Sequence, residues 1–288
     1  MKICSILTPS SFCDSKEAKN INKNIKKIGF EKLEDFKSKE KLFNKWADSA
    51  NERLKNFYLA MNSKSDAVMC CKGGSGVLHF LPLINKRRIK RKKLLIGYSD
   101  ITPLLLYLHV KLRIISLHGP NLSKNIDKVS LAALKNALEM RNYGLEFKEF
   151  TNESLNILKG KAIGGNLGRL IESFPYISLD FRGKIVFLEE TGFTEYKIFN
   201  LLLSLKNHSY FKPKVLVFGG LGVKNPKLMR KMIEYLFPNI PLIFNLNFGH
   251  TTPNLCVPIG ADCEVNFKEK KISFYFPKKS RKYAVKFD

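Results

Sequence analysis

Short apolar runs alternate along the chain with segments whose apolar residues recur every three or four positions. Residues 3–7, 66–71, 94–97, 113–117, 184–190, 215–218 and 241–246 read as strands. Several, such as Asp66-Ala67-Val68-Met69-Cys70-Cys71, are apolar without interruption, as strands buried on both faces of a parallel sheet are. Between them lie helical patterns. Residues 15–40 hold a helix and an edge strand. Leu42, Phe43, Trp46, Ala50, Leu54, Phe57, Tyr58 and Met61 mark one amphipathic helix, in which Trp46 is a core position without a functional role. Further helices follow from Pro103, from Leu167, and over 194–206 and 226–236. Strands alternating with helices imply an α/β fold with right-handed crossovers. Residues 121–156 form a polar connection with one helical pattern (Val129, Leu131, Leu134, Leu138), which divides the chain into 1–125, a linker over 126–156, and 157–288. Residues 261–276 alternate as a hairpin does.

In such a fold ligands gather at the C-terminal ends of the parallel strands, and several chemistry-bearing residues sit there. Lys72-Gly73-Gly74-Ser75-Gly76 follows one strand, and its glycines let backbone N–H groups approach a ligand. Gly97-Tyr98-Ser99-Asp100-Ile101-Thr102-Pro103 follows the next. Ser99 falls on a sharp strand-to-helix turn, beside the N–H of Asp100 and the positive end of the helix dipole, a place suited to a nucleophile of acyl transfer. Ile101 stands where the usual hydrolase elbow has glycine, which argues against a standard α/β-hydrolase. His118-Gly119-Pro120, Gly164-Gly165-Asn166 (read as a turn before a helix), Glu189-Glu190 and Gly249-His250 end other strands. A serine nucleophile needs a base and a group that orients the base. Of the five histidines, His118 and His250 end strands and are the candidates; Glu189 and Glu190 are candidates for the orienter.

Composition narrows the setting. Of 288 residues 44% are hydrophobic, and no apolar run approaches the roughly 20 residues that span a bilayer. Residues 1–9 read as a first strand rather than a signal peptide, so a cytoplasmic protein is expected. The six cysteines lack zinc spacing and are expected reduced and mostly buried. The formal charge of +25 raises a nucleic-acid partner, with residues 86–93 as the densest basic cluster. No aromatic residues interleave with that cluster and lysines are spread along the whole chain, so a solvated surface is the better reading.

The set Pro9-Ser10-Ser11, Gly73-Gly74, Gly97-Tyr98-Ser99-Asp100-Ile101-Thr102, His118-Gly119-Pro120, Gly164-Gly165-Asn166-Leu167, Phe187-Leu188-Glu189, Gly249-His250 and Val257-Pro258-Ile259-Gly260 resembles, in order and over nearly the whole chain, the LD-carboxypeptidases, a family of serine peptidases. The resemblance implies a Rossmann-like parallel-sheet domain carrying the nucleophile, a C-terminal α+β domain carrying Glu and His, and an active site between them. It implies a cytoplasmic homodimer, needing no cofactor or metal, that removes the terminal D-alanine of murein tetrapeptide, a small anionic peptide, in peptidoglycan recycling. By the same resemblance Ser99 is the nucleophile, His250 the base and Glu189 its orienter. The N–H groups of Asp100 and of Gly74 or Gly73 form the oxyanion hole, and Asn166 contacts substrate. Lys72, Ser75 and Phe199-Asn200 depart from frequent family residues. An immunity-type hydrolase of acyl-sulfamoyl or aminoacyl-nucleotide conjugates is the alternative within the family, and a catalytically idle binding protein or a basic nucleic-acid binder using residues 86–93 the alternative outside it.

Overall fold

The computed structural model describes all residues except 1, 37, 39, 153 and 288. The chain begins with β1 (Ile3–Leu7) and α1 (Ser15–Ile28), whose start is closed by a reciprocal cap. The Asp14 carboxylate accepts from the Glu17 N–H at 2.8 Å, and the Glu17 carboxylate accepts from the Asp14 N–H at 3.0 Å. Then come β2 (Lys32–Phe36), a small hairpin of β3 (Lys41–Leu42) and β4 (Trp46–Ala47), α2 (Ala50–Asn62), β5 (Ala67–Cys70), α3 (Val77–Phe80), β6 (Leu94–Gly97), α4 (Thr102–Leu112), β7 (Ser116–His118) and α5 (Lys128–Leu138). The second half contains β8 (Tyr143–Glu146), β9 (Glu149–Phe150), β10 (Ile157–Asn166), α6 (Leu167–Glu172), β11 (Ile185–Glu189), α7 (Glu195–Lys206), β12 (Val215–Phe218), α8 (Pro226–Leu236), β13 (Leu242–Phe244), β14 (Val257–Ile259), β15 (Asp262–Asn266) and β16 (Lys271–Tyr275).

Two large sheets result. The first has the order β14-β7-β6-β5-β1-β2, parallel except for β14, which runs antiparallel to β7. The second has the order β8-β16-β15-β10-β11-β12-β13-β9, with a parallel centre from β10 to β13 and antiparallel flanks. β10 serves both parts: residues 157–161 pair antiparallel with β15 and residues 162–166 pair parallel with β11. The architecture is the expected α/β one, a parallel sheet followed by a mixed α+β sheet. The polar stretch 121–156 contributes α5 and also β8 and β9, which close the two edges of the second sheet.

Helix α4 joins the layers. Its residues Thr102 to Leu108 are all buried, so it is apolar around its whole circumference, as a helix enclosed on every side must be. It packs on β6 and β7 of the first sheet and on β10 and α6 of the second. The start of α4 therefore faces both halves of the molecule.

Two local expectations are corrected. The apolar spacing of Leu42, Phe43 and Trp46 mimics a helix, but α2 begins only at Ala50, capped by Ser49. Phe43 and Asn44, between the two strands, adopt φ of 49° and 55°, which turn the chain into the β3–β4 hairpin instead, and Asp48, directly after β4, adopts φ of 50°. Gly164 and Gly165 are the last part of β10, not a turn. At Gly164, φ is 134° and an added Cβ would lie 1.9 Å from the Phe187 carbonyl oxygen, so the close approach of β10 to β11 requires glycine.

Candidate active site

Strand β6 is buried throughout and ends at Gly97. Two residues later Ser99 adopts φ of 63°, the left-handed region that a non-glycine residue enters at a cost of about 1–2 kcal/mol. The chain then turns through residues 99–101 directly into α4, with Pro103 in its first turn. This sharp turn leaves Ser99 half-buried at the C-terminal edge of the sheet.

Asp100, the next residue, is fully buried and locks the turn. Its Oδ2 accepts from the Ser10 hydroxyl at 2.6 Å and from the Val77 N–H at 3.0 Å. Its Oδ1 faces the Arg169 guanidinium, Nε at 3.2 Å, so one ion pair crosses from the first sheet to α6. Burial raises the Asp100 carboxyl above the ordinary value, against the hydrogen bonds from Ser10 and Val77 and the charge of Arg169.

The glycine loop lies against this turn. A Cβ on Gly73 would sit 3.2 Å from Ser99 Oγ. Gly74 has φ of 114°, and a Cβ there would lie 2.1 Å from the Ser11 hydroxyl, which itself accepts from the Ser75 N–H at 3.3 Å. Only glycine fits in that space. Beneath the loop lies a fully buried arginine, Arg53, with its guanidinium 3.1 Å from His79 Nδ1.

The other half of the site comes from the second sheet. β11 ends in Glu189, fully buried, whose Oε2 lies 2.6 Å from His250 Nδ1. Burial raises this carboxyl, but the facing imidazoles of His118 and His250 more than offset it and bring it down to about 2. An ionised carboxylate only accepts, so His250 Nδ1 carries the hydrogen and Nε2 is left as the acceptor. The His250 ring packs edge-on to Tyr98, the residue before the candidate nucleophile, with centroids 5.0 Å apart. His118 is also drawn to Glu189, Nε2 to Oε1 at 3.7 Å.

The neighbouring Glu190 points elsewhere. It accepts from Asn166 Nδ2 at 2.9 Å, from the Gly168 N–H at 2.8 Å and from the Thr191 N–H at 2.9 Å, at the start of α6. Asn166, expected as a substrate contact, caps α6: its Oδ1 accepts from the Arg169 N–H at 3.1 Å, and its own N–H donates to Thr102 Oγ1 at 3.0 Å.

The loop bearing His250 is held from the stretch that reads as a linker. Asp127 caps α5 and binds Ser130; the Ser130 hydroxyl accepts from the Asn254 N–H at 2.8 Å; Asn254 Oδ1 accepts from the Gly249 N–H at 2.9 Å. A small cleft of about 180 Å³ opens beside His250, lined by Tyr98, Asn121, Lys124, Asp127 and Ser130 among others, with Lys124 the one lysine or arginine among the described residues that line it. The backbone of residues 122–126 is fixed by buried Asn24 of α1, whose Nδ2 donates to the carbonyls of Leu122 at 2.9 Å and Lys124 at 2.7 Å. Sequence reasoning missed this bracket, Asp100's locking role and His118's contact. An Asp followed three residues on by Ser at the head of a helical pattern was the available sign of the first.

Residues 4–119 match the family model for the LD-carboxypeptidase N-terminal domain, and residues 159–265 the model for the LD-carboxypeptidase C-terminal domain. The chain belongs to the LD-carboxypeptidase family. Among relatives in that family, it is 29% identical to the probable murein peptide carboxypeptidase of Bacillus subtilis (strain 168) over 245 residues, 78% of this chain and 76% of that protein. It is 24% identical to the microcin C7 self-immunity protein MccF of Escherichia coli over 268 residues, 77% of each. The crystal structure of muramoyltetrapeptide carboxypeptidase from Oxalobacter formigenes shares the fold, with a TM-score of 0.83 at 20% identity, covering 95% of this chain and 98% of that one. Apo MccF shares it with a TM-score of 0.84 at 20% identity over 96% of each chain. Among the described residues, no helix is long and apolar enough to cross a membrane.

Proposed function

We propose that this LD-carboxypeptidase is a serine peptidase that cuts the L-to-D bond of murein tetrapeptide and releases its terminal D-alanine in peptidoglycan recycling, with Ser99, His250 and Glu189 as its triad. The observation that carries the reading is the 2.6 Å contact between buried Glu189 and half-buried His250, whose ring packs on Tyr98 at the Ser99 turn. The 29% identity to a probable murein peptide carboxypeptidase supports the substrate class.

In this reading His250 Nε2 takes the Ser99 proton as Oγ attacks the scissile carbonyl carbon, and Glu189 stabilises the imidazolium that forms. The N–H groups of Asp100 and of Gly74 or Gly73 receive the oxyanion. The tetrahedral intermediate collapses as His250 returns the proton to the departing D-alanine nitrogen, leaving an ester on Ser99. Water, deprotonated by the same imidazole, hydrolyses that ester. Because His250 must reach the leaving nitrogen, D-alanine departs beside it, where the small cleft offers Lys124 to the terminal carboxylate. Asn166, with its amide committed to Glu190 and to α6, serves as a fixed wall for the substrate rather than a free hydrogen-bonding group. A cytoplasmic homodimer completes the proposal, and light scattering of the purified protein tests the dimer.

The deciding experiment is D-alanine release from L-Ala-D-Glu-meso-diaminopimelate-D-Ala, run beside the L-Ala-terminated diastereomer and an aminoacyl sulfamoyl nucleotide. Release from the first alone supports the proposal. Turnover of the nucleotide alone assigns the chain to immunity-type hydrolysis.

A further inference from the structure

Three of the buried side-chain polar atoms left without a hydrogen-bond partner among the described residues lie on two neighbouring side chains: His118 Nδ1 and Nε2, and Glu189 Oε1, which Nε2 faces. His118 is fully buried at the end of β7, and its Nε2 stands 3.7 Å from Glu189 Oε1. Burying an imidazole with both nitrogens unpartnered is costly, and so is leaving one oxygen of an ionised carboxylate bare. About half an ångström of closure would pair Nε2 with Oε1, satisfying the carboxylate oxygen and one of the two ring nitrogens.

We propose that His118 is a positioning residue: its Nε2–H holds Oε1 of Glu189, so that Oε2 stays on His250. The inference rests on the reading of Glu189 and His250 as orienter and base. The terminal torsion of a glutamate is broad and roughly two-fold, so packing of the aliphatic stem does not by itself fix the plane of the carboxylate. One hydrogen bond to His250 leaves that plane free to swing; a second, from a ring that cannot move, fixes it. The His118 ring is so held. Tyr98 lies on one side at 6.1 Å between centroids and Phe248 on another at 5.7 Å. Its Cδ2 lies 3.2 Å from where a Gly165 Cβ would stand. Its backbone is paired in the sheet between Gly97 of β6 and Val257 of β14. Among the described residues the ionisable groups that face this ring are Glu189 and Tyr98, with His250 beyond the carboxylate. Of the two ring nitrogens, Nε2 is the one placed to donate to Oε1 of the carboxylate.

The test pairs His118→Leu, which removes the donor, with His118→Gln, whose Nε2 amide restores one near the same place. His118→Leu lowers kcat roughly 10- to 100-fold, the scale of one charge-assisted hydrogen bond, with KM nearly unchanged, and His118→Gln recovers most of the loss. The proton NMR resonance of His250 Nδ1–H in the bond to Glu189 is sharp in the wild type and in His118→Gln, and broadened or lost in His118→Leu. Full kcat in His118→Leu, or equal losses in both variants that track only a fall in Tm while the resonance persists, overturns the proposal. If His118→Leu does not fold, a folded His118→Gln with the resonance and activity lost overturns it, and one with both kept supports it. Absence of peptidase turnover in the wild type would instead refute the catalytic reading, while the resonance still reports whether His118 holds Glu189.

Discussion

The ends of β6 and β11 are alike in origin and different in construction. Both strands are buried along their whole length, and both deliver polar side chains at their C-terminal edges. At the end of β6 the chain reverses within a few residues: Ser99 takes a left-handed φ and Asp100 is clamped by Ser10, Val77 and Arg169. At the end of β11 the backbone is unremarkable and the chemistry lies in the partners. Two adjacent glutamates are both buried, at 0% and 3% exposure, so burial does not distinguish them. Glu189 faces two imidazoles, while Glu190 is filled by amide donors at the head of α6. The position of the proposed nucleophile is thus set by a local turn, and the role proposed for the carboxylate by which remote residues are brought to it.

The comparison can be broken at its strongest point first. If Ser99 belongs to the proposed triad, Ser99→Ala should lower kcat by about four to six orders of magnitude on the tetrapeptide while leaving Tm near wild type, since triad members act as a unit. Circular dichroism and D-alanine release on one preparation check both halves of that statement. Arg169→Met removes the cation facing buried Asp100, and should cost about 1–3 kcal/mol in chemical denaturation together with a smaller fall in kcat than Ser99→Ala. An unchanged stability would mean that Asp100 is held by Ser10 and Val77 alone.

A third expectation concerns pH. The folded Glu189 carboxyl lies at about 2, below its unfolded value near 4.3, so the native state binds fewer protons between the two. Its stabilising contribution is present above that unfolded value and is lost as pH falls toward 2. Denaturation of the wild type and of Glu189→Gln from pH 6 to pH 3 should therefore show the wild type losing more stability on acidification. Parallel curves would contradict a depressed carboxyl.

Most of the parallel sheet was legible because fully apolar runs admit few other environments, and the Ser99 turn was legible because its residues are contiguous. The β3–β4 hairpin was not, since Leu42, Phe43 and Trp46 happen to fall at helical spacing while left-handed Phe43 and Asn44 set the turn. Nor was the support of His250: Asp127, Ser130 and Asn254 act together across 124 residues of sequence, a relation that no local pattern records. His118 does end β7, but His250, also expected at a strand end, lies in a loop six residues past β13, and only the fold tells that one is sealed inside while the other keeps 21% of its side chain exposed.

The central claim is that Glu189, not Glu190, orients the base. It is tested most directly by kcat for D-alanine release in Glu189→Gln and Glu190→Gln, measured beside the wild type on the same tetrapeptide. Neutralising an orienting carboxylate costs roughly 10⁴ in kcat, and that loss is expected for Glu189→Gln. Glu190→Gln should stay within about tenfold of wild type, its cost appearing instead as about 1–3 kcal/mol of stability. A larger kcat loss in Glu190→Gln than in Glu189→Gln would contradict the account.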